Sequence, residues 1–201
     1  MNKIIDYYYA LASPWTYLGG PRLDRIAAEH GARVNFRPVD LGKVFPVSGG
    51  LPLPKRAPQR QAYRLVELAR WRDHLGMALN LEPAFFPVNE ARAARMVVAA
   101  RRAGMDAGRL TNAILRAVWA EERNIADADT LAAIAGENGL DGDALLAAAD
   151  TGAVADEYAA DTAEAIERGV FGAPTYIYEG ELFWGQDRLD FLERALAADG
   201  G

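Results

Sequence analysis

The stretch Ile4-Ile5-Asp6-Tyr7-Tyr8-Tyr9-Ala10-Leu11-Ala12-Ser13-Pro14-Trp15-Thr16-Tyr17 decides the fold. Ile4 to Tyr9 is a short apolar and aromatic run with one charge, Asp6, and reads as a buried strand. Ser13 suits a helix N-cap and Pro14 a first helical residue, where a missing N–H and a fixed φ cost nothing. From Trp15 on, Tyr17, Leu18, Leu23, Ile26 and Ala27 keep helical spacing, and His30-Gly31 is the stop signal. Val34, Phe36 and Val39 then alternate with polar residues as a second strand. Strand, helix, strand over about forty residues is a right-handed parallel unit.

Working outward, the far end of the chain supplies a matching half. A helix through Glu157 to Arg168 precedes Gly172-Ala173-Pro174-Thr175. Tyr176 to Tyr178 and Leu182 to Trp184 flank Glu179-Gly180-Glu181, a β-hairpin signal. Leu189, Leu192 and Leu196 mark a last amphipathic helix. The order β-α-β at the start and α-β-β-α at the end is the thioredoxin arrangement, an α/β fold. Between the halves lie helical signals and almost no strand signal. The expected organisation is a thioredoxin-like domain of residues 1–44 and 153–201, with an all-helical insertion at 45–152.

Inside the insertion the expected helices run over Pro58 to Leu75, Asn89 to Ala103, Ala107 to Arg123, Asp127 to Ala135 and Asp143 to Ala149. Asp106, Asp127 and Asp141 each precede a helical run as N-cap or first-turn acids. Phe45 to Pro58 holds four prolines, two adjacent glycines and the pair Lys55-Arg56 without periodicity, so it reads as a functional loop.

Bulk properties narrow the function classes. A net charge of −6 argues against a general nucleic-acid or membrane-surface role. No apolar run is long enough to span a bilayer. Met1-Asn2-Lys3 followed by a strand lacks a signal-peptide core, which points to the cytoplasm. The chain has no cysteine, so disulfides, thiolate metal sites and self-contained redox chemistry are absent. His30 and His74 each fall in the last turn of an expected helix, where a cation favours the dipole; no metal site is expected.

Ser13 stands where the thioredoxin arrangement carries its reactive sulfur, with a hydroxyl in its place. A plain N-cap is the simplest role for such a serine. A serine hydroxyl does not ionise near neutral pH and no histidine is placed to activate it, which argues against nucleophilic catalysis. At a helix N-terminus it can instead donate a hydrogen bond to an external anion, helped by the dipole. If the fold is as read, the chain has to borrow a thiol for such chemistry, and the obvious lender is glutathione. Pro174 either opens a strand or, in the thioredoxin context, forms a cis bond that exposes the Ala173 backbone to pair with a peptide-like ligand.

Four segments resemble the 2-hydroxychromene-2-carboxylate isomerase family, relatives of kappa-class glutathione transferases and of DsbA-like oxidoreductases. They are Ser13-Pro14-Trp15-Thr16-Tyr17-Leu18-Gly19, Phe86-Pro87-Val88-Asn89, Val170-Phe171-Gly172-Ala173-Pro174-Thr175 and Phe183-Trp184-Gly185-Gln186-Asp187-Arg188-Leu189. The resemblance covers nearly the whole chain. It implies a glutathione-dependent cis–trans isomerisation in aromatic catabolism, with glutathione a catalytic cofactor that is neither consumed nor oxidised. On that basis Ser13 holds the thiolate and Ala173 the cysteinyl backbone, while Trp184, Gly185, Gln186 and Asp187 hold the γ-glutamyl end. Asp187 could pair with the α-ammonium there and also cap the last helix.

The implied substrate is a small aromatic carboxylate, which wants a basic group and aromatic walls. Lys55 and Arg56, with Arg60 and Arg64 on the next helix, form a local positive cluster; Arg60 and Arg64 read as solvated surface. Phe45 and Phe86 are candidate walls, and Asn89 is either an N-cap or a polar pocket residue. A homodimer is implied by the relatives. The alternatives on the same fold are a kappa-like transferase, an enzyme removing glutathione from conjugates, and a non-catalytic binding module.

Overall fold

The computed structural model describes residues 3–198; Met1, Asn2 and residues 199–201, on which the leader reading and the outer ends of the domain ranges fall, lie outside them. β1 (Ile4–Tyr9), α1 (Pro14–Glu29) and β2 (Arg33–Pro38) form the expected opening unit. β3 (Thr175–Tyr178), β4 (Glu181–Trp184) and α9 (Leu189–Ala198) close the chain. The four strands make one sheet in the order β2-β1-β3-β4. β1 runs parallel to β2 with Tyr7 opposite Phe36, and antiparallel to β3 with Tyr8 opposite Thr175. β4 pairs antiparallel to β3, Trp184 opposite Thr175, and forms an edge.

Alternation along β1 sends Tyr7 and Tyr9 to one face and Tyr8 to the other. Tyr7 stacks on Tyr9 and on Tyr176 with ring centroids 4.5 and 5.0 Å apart. Tyr8 and Ile177 pack instead against Val39, Ala165 and Val170.

The intervening segment is helical: α2 (Leu41–Ser48), α3 (Pro58–Leu75), α4 (Ala91–Arg102), α5 (Ala107–Trp119), α6 (Ala128–Glu137), α7 (Gly142–Ala149) and α8 (Gly152–Glu167). Asp106, Asp127 and Asp141 cap α5, α6 and α7 by accepting from the N–H of Arg109, Thr130 and Ala144, as the pattern requires. One hydrophobic cluster joins Ile5, Tyr7, Leu18 and Ile26 to Met96, Ile114, Trp119 and Leu145, so these helices share the core of the sheet face carrying α1.

Three expectations are corrected. The segment from Phe45 is no loop at its start, because α2 covers Phe45 and Pro46; the irregular stretch begins at Gly49. Asp40 accepts from the Gly42 N–H to open that helix, and Gly49 at φ 77° ends it. α5 stops at Trp119 instead of Arg123, since the Arg123 N–H turns back to the Ala117 carbonyl. α8 begins at Gly152, five residues before the expected Glu157. The boundaries drawn at 45 and 153 therefore fall inside α2 and the first turn of α8.

Buried charge ties the helices to the sheet. Asp161 on α8 is 3% exposed and receives Arg37 of β2 at 2.8 Å and Arg101 of α4 at 2.6 Å. Arg101 also donates to the Phe36 carbonyl at 2.6 Å and pairs with Glu157. Burial pushes the Asp161 carboxyl up, and the two guanidiniums oppose that push. Removing the acid takes from two half-buried cations their most buried partner and leaves Arg101 with Glu157 and Arg37 with Glu164 and Asp6. Asp161→Ala is expected to cost about 2–4 kcal/mol, read as the shift in urea midpoint at constant slope; a loss under about 1 kcal/mol would show that the remaining carboxylates suffice for both cations.

Candidate active site at the α1 N-terminus

The register of β1 against β3 assembles the site. Because the two strands are antiparallel, the chain leaving Tyr9 and the chain entering Thr175 lie at one end of the sheet. Ser13 sits four residues past the first and Ala173 two before the second, so the hydroxyl and the proline loop are brought to the same edge.

Ser13 is half-buried and caps α1, with φ −89° and ψ 122°. Its Oγ accepts from the Thr16 N–H at 3.3 Å. That contact occupies an oxygen lone pair and leaves the hydroxyl proton with no acceptor among the described residues. A donor at a helix N-terminus with an unspent proton is a receptor for an anion.

Across the edge, the Ala173–Pro174 peptide is cis. The Pro174 carbonyl accepts from the Gly185 N–H at 2.9 Å, which fastens the end of β4 to the proline loop. Gly185 has φ 98°, and a Cβ there would come 2.4 Å from Asp187 Oδ1, so the turn requires glycine. The Trp184 indole lies over Gly172 and 4.9 Å from the Phe171 ring, and half of its surface is exposed.

Gln186 and Asp187 part company. Gln186 is buried, with its backbone and side-chain oxygens accepting from Arg22 of α1 at 3.2 and 3.3 Å. Its side chain therefore braces α1. Asp187 is exposed, pairs with Arg188 at 2.9 Å and lies in a single 3-10 turn, with no side-chain cap bond to α9. Its carboxylate stays open to an ammonium group.

Glu90 is a residue the sequence reading passed over. It sits at the N-cap of α4, yet makes no cap bond; Oε2 accepts instead from the Ala12 N–H at 2.6 Å, directly beneath Ser13. Burial pushes its carboxyl up to about 7, opposed by the Ala12 and Leu11 backbone and reinforced by Asp40. Tyr9 of β1 and Tyr158 of α8 face it as well. An acidic residue before an alanine-rich helix looks like an ordinary first-turn acid, so nothing local marks the contact. Asn89, one residue before the N-cap, is exposed and its Oδ1 accepts from the Ala91 N–H at 3.0 Å.

The expected substrate-side residues fall into two groups. Phe86 is half-buried, lies 5.0 Å from Trp119 and leads through the cis Phe86–Pro87 bond into Glu90. Phe45 folds over Gly50, where a Cβ would meet its ring at 2.3 Å. Lys55 is exposed in a 3-10 turn (Leu53–Lys55). Arg56 is half-buried and donates from Nε to the Leu51 carbonyl at 2.8 Å. No group of three or more His, Asp or Glu that could hold a metal occurs among the described residues, and no described helix is long and apolar enough to cross a membrane.

A thioredoxin-type sheet with interposed helices and a capping serine in place of sulfur defines the class, and the family profile of the DSBA-like thioredoxin domain matches residues 4–197. The chain belongs to that family. Within it, a 2-hydroxychromene-2-carboxylate isomerase of Pseudomonas putida is 33% identical over 198 residues, covering 96% of this chain and 94% of that protein. A solved 2-hydroxychromene-2-carboxylate isomerase superposes with TM-score 0.83 at 30% identity, over 97% of this chain and 95% of its own. The chain belongs to this isomerase family and is an isomerase. The fold, at 22% identity and TM-score 0.65, is also that of the cytosolic disulfide reductase DsbM from Pseudomonas aeruginosa with GSH, over 96% and 99% of the two chains.

Glu90 gives the site a pH signature. Its folded value, about 7, stands above the ordinary glutamate value of 4.5. The stabilisation it contributes is complete below the unfolded value and is lost as pH rises through the folded one. Glu90→Gln keeps an oxygen for Ala12 but has no proton to lose. Between pH 5 and 8 the wild type is expected to lose about 1–3 kcal/mol more stability than Glu90→Gln, measured by urea unfolding. Parallel pH profiles would show that the carboxyl titrates as in water.

Proposed function

We propose that the protein is a glutathione-dependent cis–trans isomerase acting on a small aromatic carboxylate of the 2-hydroxychromene-2-carboxylate type. The observation that carries the reading is the unspent hydroxyl proton of Ser13 at the α1 N-terminus, opposite the proline loop, in a chain without cysteine. The names of the relatives support the substrate class. The DsbM structure with GSH supports the fold's capacity for the tripeptide.

The residues present fit glutathione. Ser13 offers the hydroxyl as donor to the sulfur, and the helix dipole adds to it. Ala173 offers backbone for pairing with the cysteinyl unit as an added strand. Asp187 offers an exposed carboxylate for the γ-glutamyl ammonium, and Trp184 an exposed ring beside it. Gly185 keeps the backbone of that turn open, while Gln186 contributes through the turn it braces. Bound glutathione supplies a thiolate that adds reversibly to an unsaturated carbon and so permits rotation about the neighbouring bond.

Ser13 favours the ionised sulfur over the protonated one, because its donated hydrogen bond gains most when the acceptor is charged. The same preference lowers the barrier for a thiolate leaving the product. Glu90 holds the Ala12 backbone and so fixes the height of Ser13. On the substrate side, Phe86 and Phe45 are the walls, Lys55 and Arg56 the cations and Asn89 a polar neighbour.

The reading includes a cytoplasmic homodimer. Phe171, Trp184 and Phe191 are exposed beside the open edge of β4, and such a face supports self-association.

Ser13→Ala is expected to lower turnover of 2-hydroxychromene-2-carboxylate by about 10²-fold or more at saturating glutathione, with the fold retained and the melting temperature lowered by only about 2–4 °C through loss of the cap bond. Total reduced glutathione stays constant during wild-type turnover. A near-wild-type rate in Ser13→Ala would sink the role of the hydroxyl, and net consumption of glutathione would favour transferase chemistry.

A further inference from the structure

Arginine pairing across the molecule follows one rule with two exceptions. Among the described residues, the half-buried arginines 22, 37, 72, 92, 95, 101, 123 and 168 each meet a carboxylate. Arg56 and Arg64 are also half-buried and meet none. Arg56 at least reaches a carbonyl, through Nε. Arg64 has no hydrogen-bond acceptor at all among the described residues. Its guanidinium carbon instead lies 5.3 Å from the centre of the Phe86 ring and 5.8 Å from that of Trp119.

Two aromatic faces fix the plane of the guanidinium and leave its N–H edge unspent, which is the arrangement a bidentate carboxylate uses. Burial, and then the charge of Arg56, push Arg64 down to about 10, so the site is short of negative charge. In a chain of net charge −6, with surplus acids available, two adjacent partly buried cations without a counter-ion mark a place kept for an external anion.

The fold connects that place to Ser13. α3, which carries Arg64, packs against α1. Phe86, beneath the guanidinium, is four residues before Glu90, whose carboxyl holds Ala12.

We propose that Arg64, backed by Arg56, is the receptor for the carboxylate of the aromatic substrate and thereby sets which end of that substrate faces Ser13. The assignment rests on the reading of this site as an isomerase centre, and it moves the main anion contact from the exposed Lys55 to a residue that the sequence alone places on the solvated surface. Removal of Arg64 therefore raises KM through the lost anion contact and lowers kcat through substrate bound the wrong way round.

The test is a calorimetric titration of 2-hydroxycinnamate and of its neutral amide into wild type, Arg64→Ala and Arg64→Lys, with reduced glutathione as a control ligand. The expected result is that wild type binds the carboxylate at least about 10-fold tighter than the amide and that Arg64→Ala abolishes the difference. Binding of the amide and of glutathione stays within about twofold, and Arg64→Lys, which keeps charge but not the planar fork, recovers only part. Equal affinity of wild type and Arg64→Ala for the carboxylate overturns the proposal, as does a wild type that does not distinguish acid from amide. A lowered melting temperature with no change in binding also overturns it and assigns Arg64 to packing over Trp119. If Arg64→Ala does not fold, Arg64→Lys decides alone: full wild-type discrimination overturns the proposal, and partial loss supports it. Should wild type bind the carboxylate through Arg64 yet fail to turn over 2-hydroxychromene-2-carboxylate, the isomerase substrate falls while the receptor stands.

Discussion

The antiparallel register that sets Tyr8 opposite Thr175 is the constraint on which the site depends. It brings the exit of β1 and the entry of β3 to one edge, so a serine near the start of the chain faces a proline loop more than 150 residues later. A slip of β3 by one residue would send Tyr176 to the α8 face while Tyr7 and Tyr9 stay on the α1 face, breaking the stack. The tyrosines thus do two things at once. They fill the core under α1, and they pin the register that aligns Ser13 with Ala173.

Chemistry at that edge follows from features that would be costly anywhere else in the fold. Ser13 has an unspent donor, Glu90 holds a carboxyl against the backbone under poor hydration, and Arg64 lies half-buried without a counter-ion. Asp161, by contrast, has two cations, and Asp6 receives Arg168 at 2.7 Å and Asn35 at 2.8 Å. Local rules are broken where a ligand is needed to complete them, and the surrounding packing offsets the cost. The absence of cysteine belongs to the same logic. On the proposed reading, a chain with no sulfur of its own at the cap keeps the electrostatics of a thiolate site for the sulfur of a partner molecule.

Much of this was legible in the sequence, for identifiable reasons. The β1–α1–β2 unit was readable because strand period, cap, N1 proline and stop glycine agree within thirty residues of one another. The β3–β4 hairpin and the aspartate caps of α5, α6 and α7 are likewise set by neighbours in sequence. Legibility ended where long-range contact decides. α2 escaped because Pro46 reads as a breaker, while the Asp40 cap that opens the helix is visible only once β2 has ended. Glu90 looked like a first-turn acid, and its true partner, Ala12, lies 78 residues away. The hydrogen bonds that tie Gln186 to Arg22 of α1 join residues 164 apart and leave no local mark in the sequence. Arg64 looked solvated because an arginine on an exposed-looking helix gives no local sign of which aromatic rings will cover it.

The central claim is that this edge stabilises a thiolate that the protein does not itself possess. Its most direct test is titration of reduced glutathione at neutral pH by calorimetry in two buffers of different ionisation heat. The account predicts saturable binding in the micromolar to millimolar range with a net release of protons, as sulfur ionises on reaching Ser13. Binding without proton release would place glutathione at the edge but deny the thiolate, and the absence of any binding heat or thermal shift would contradict the account outright.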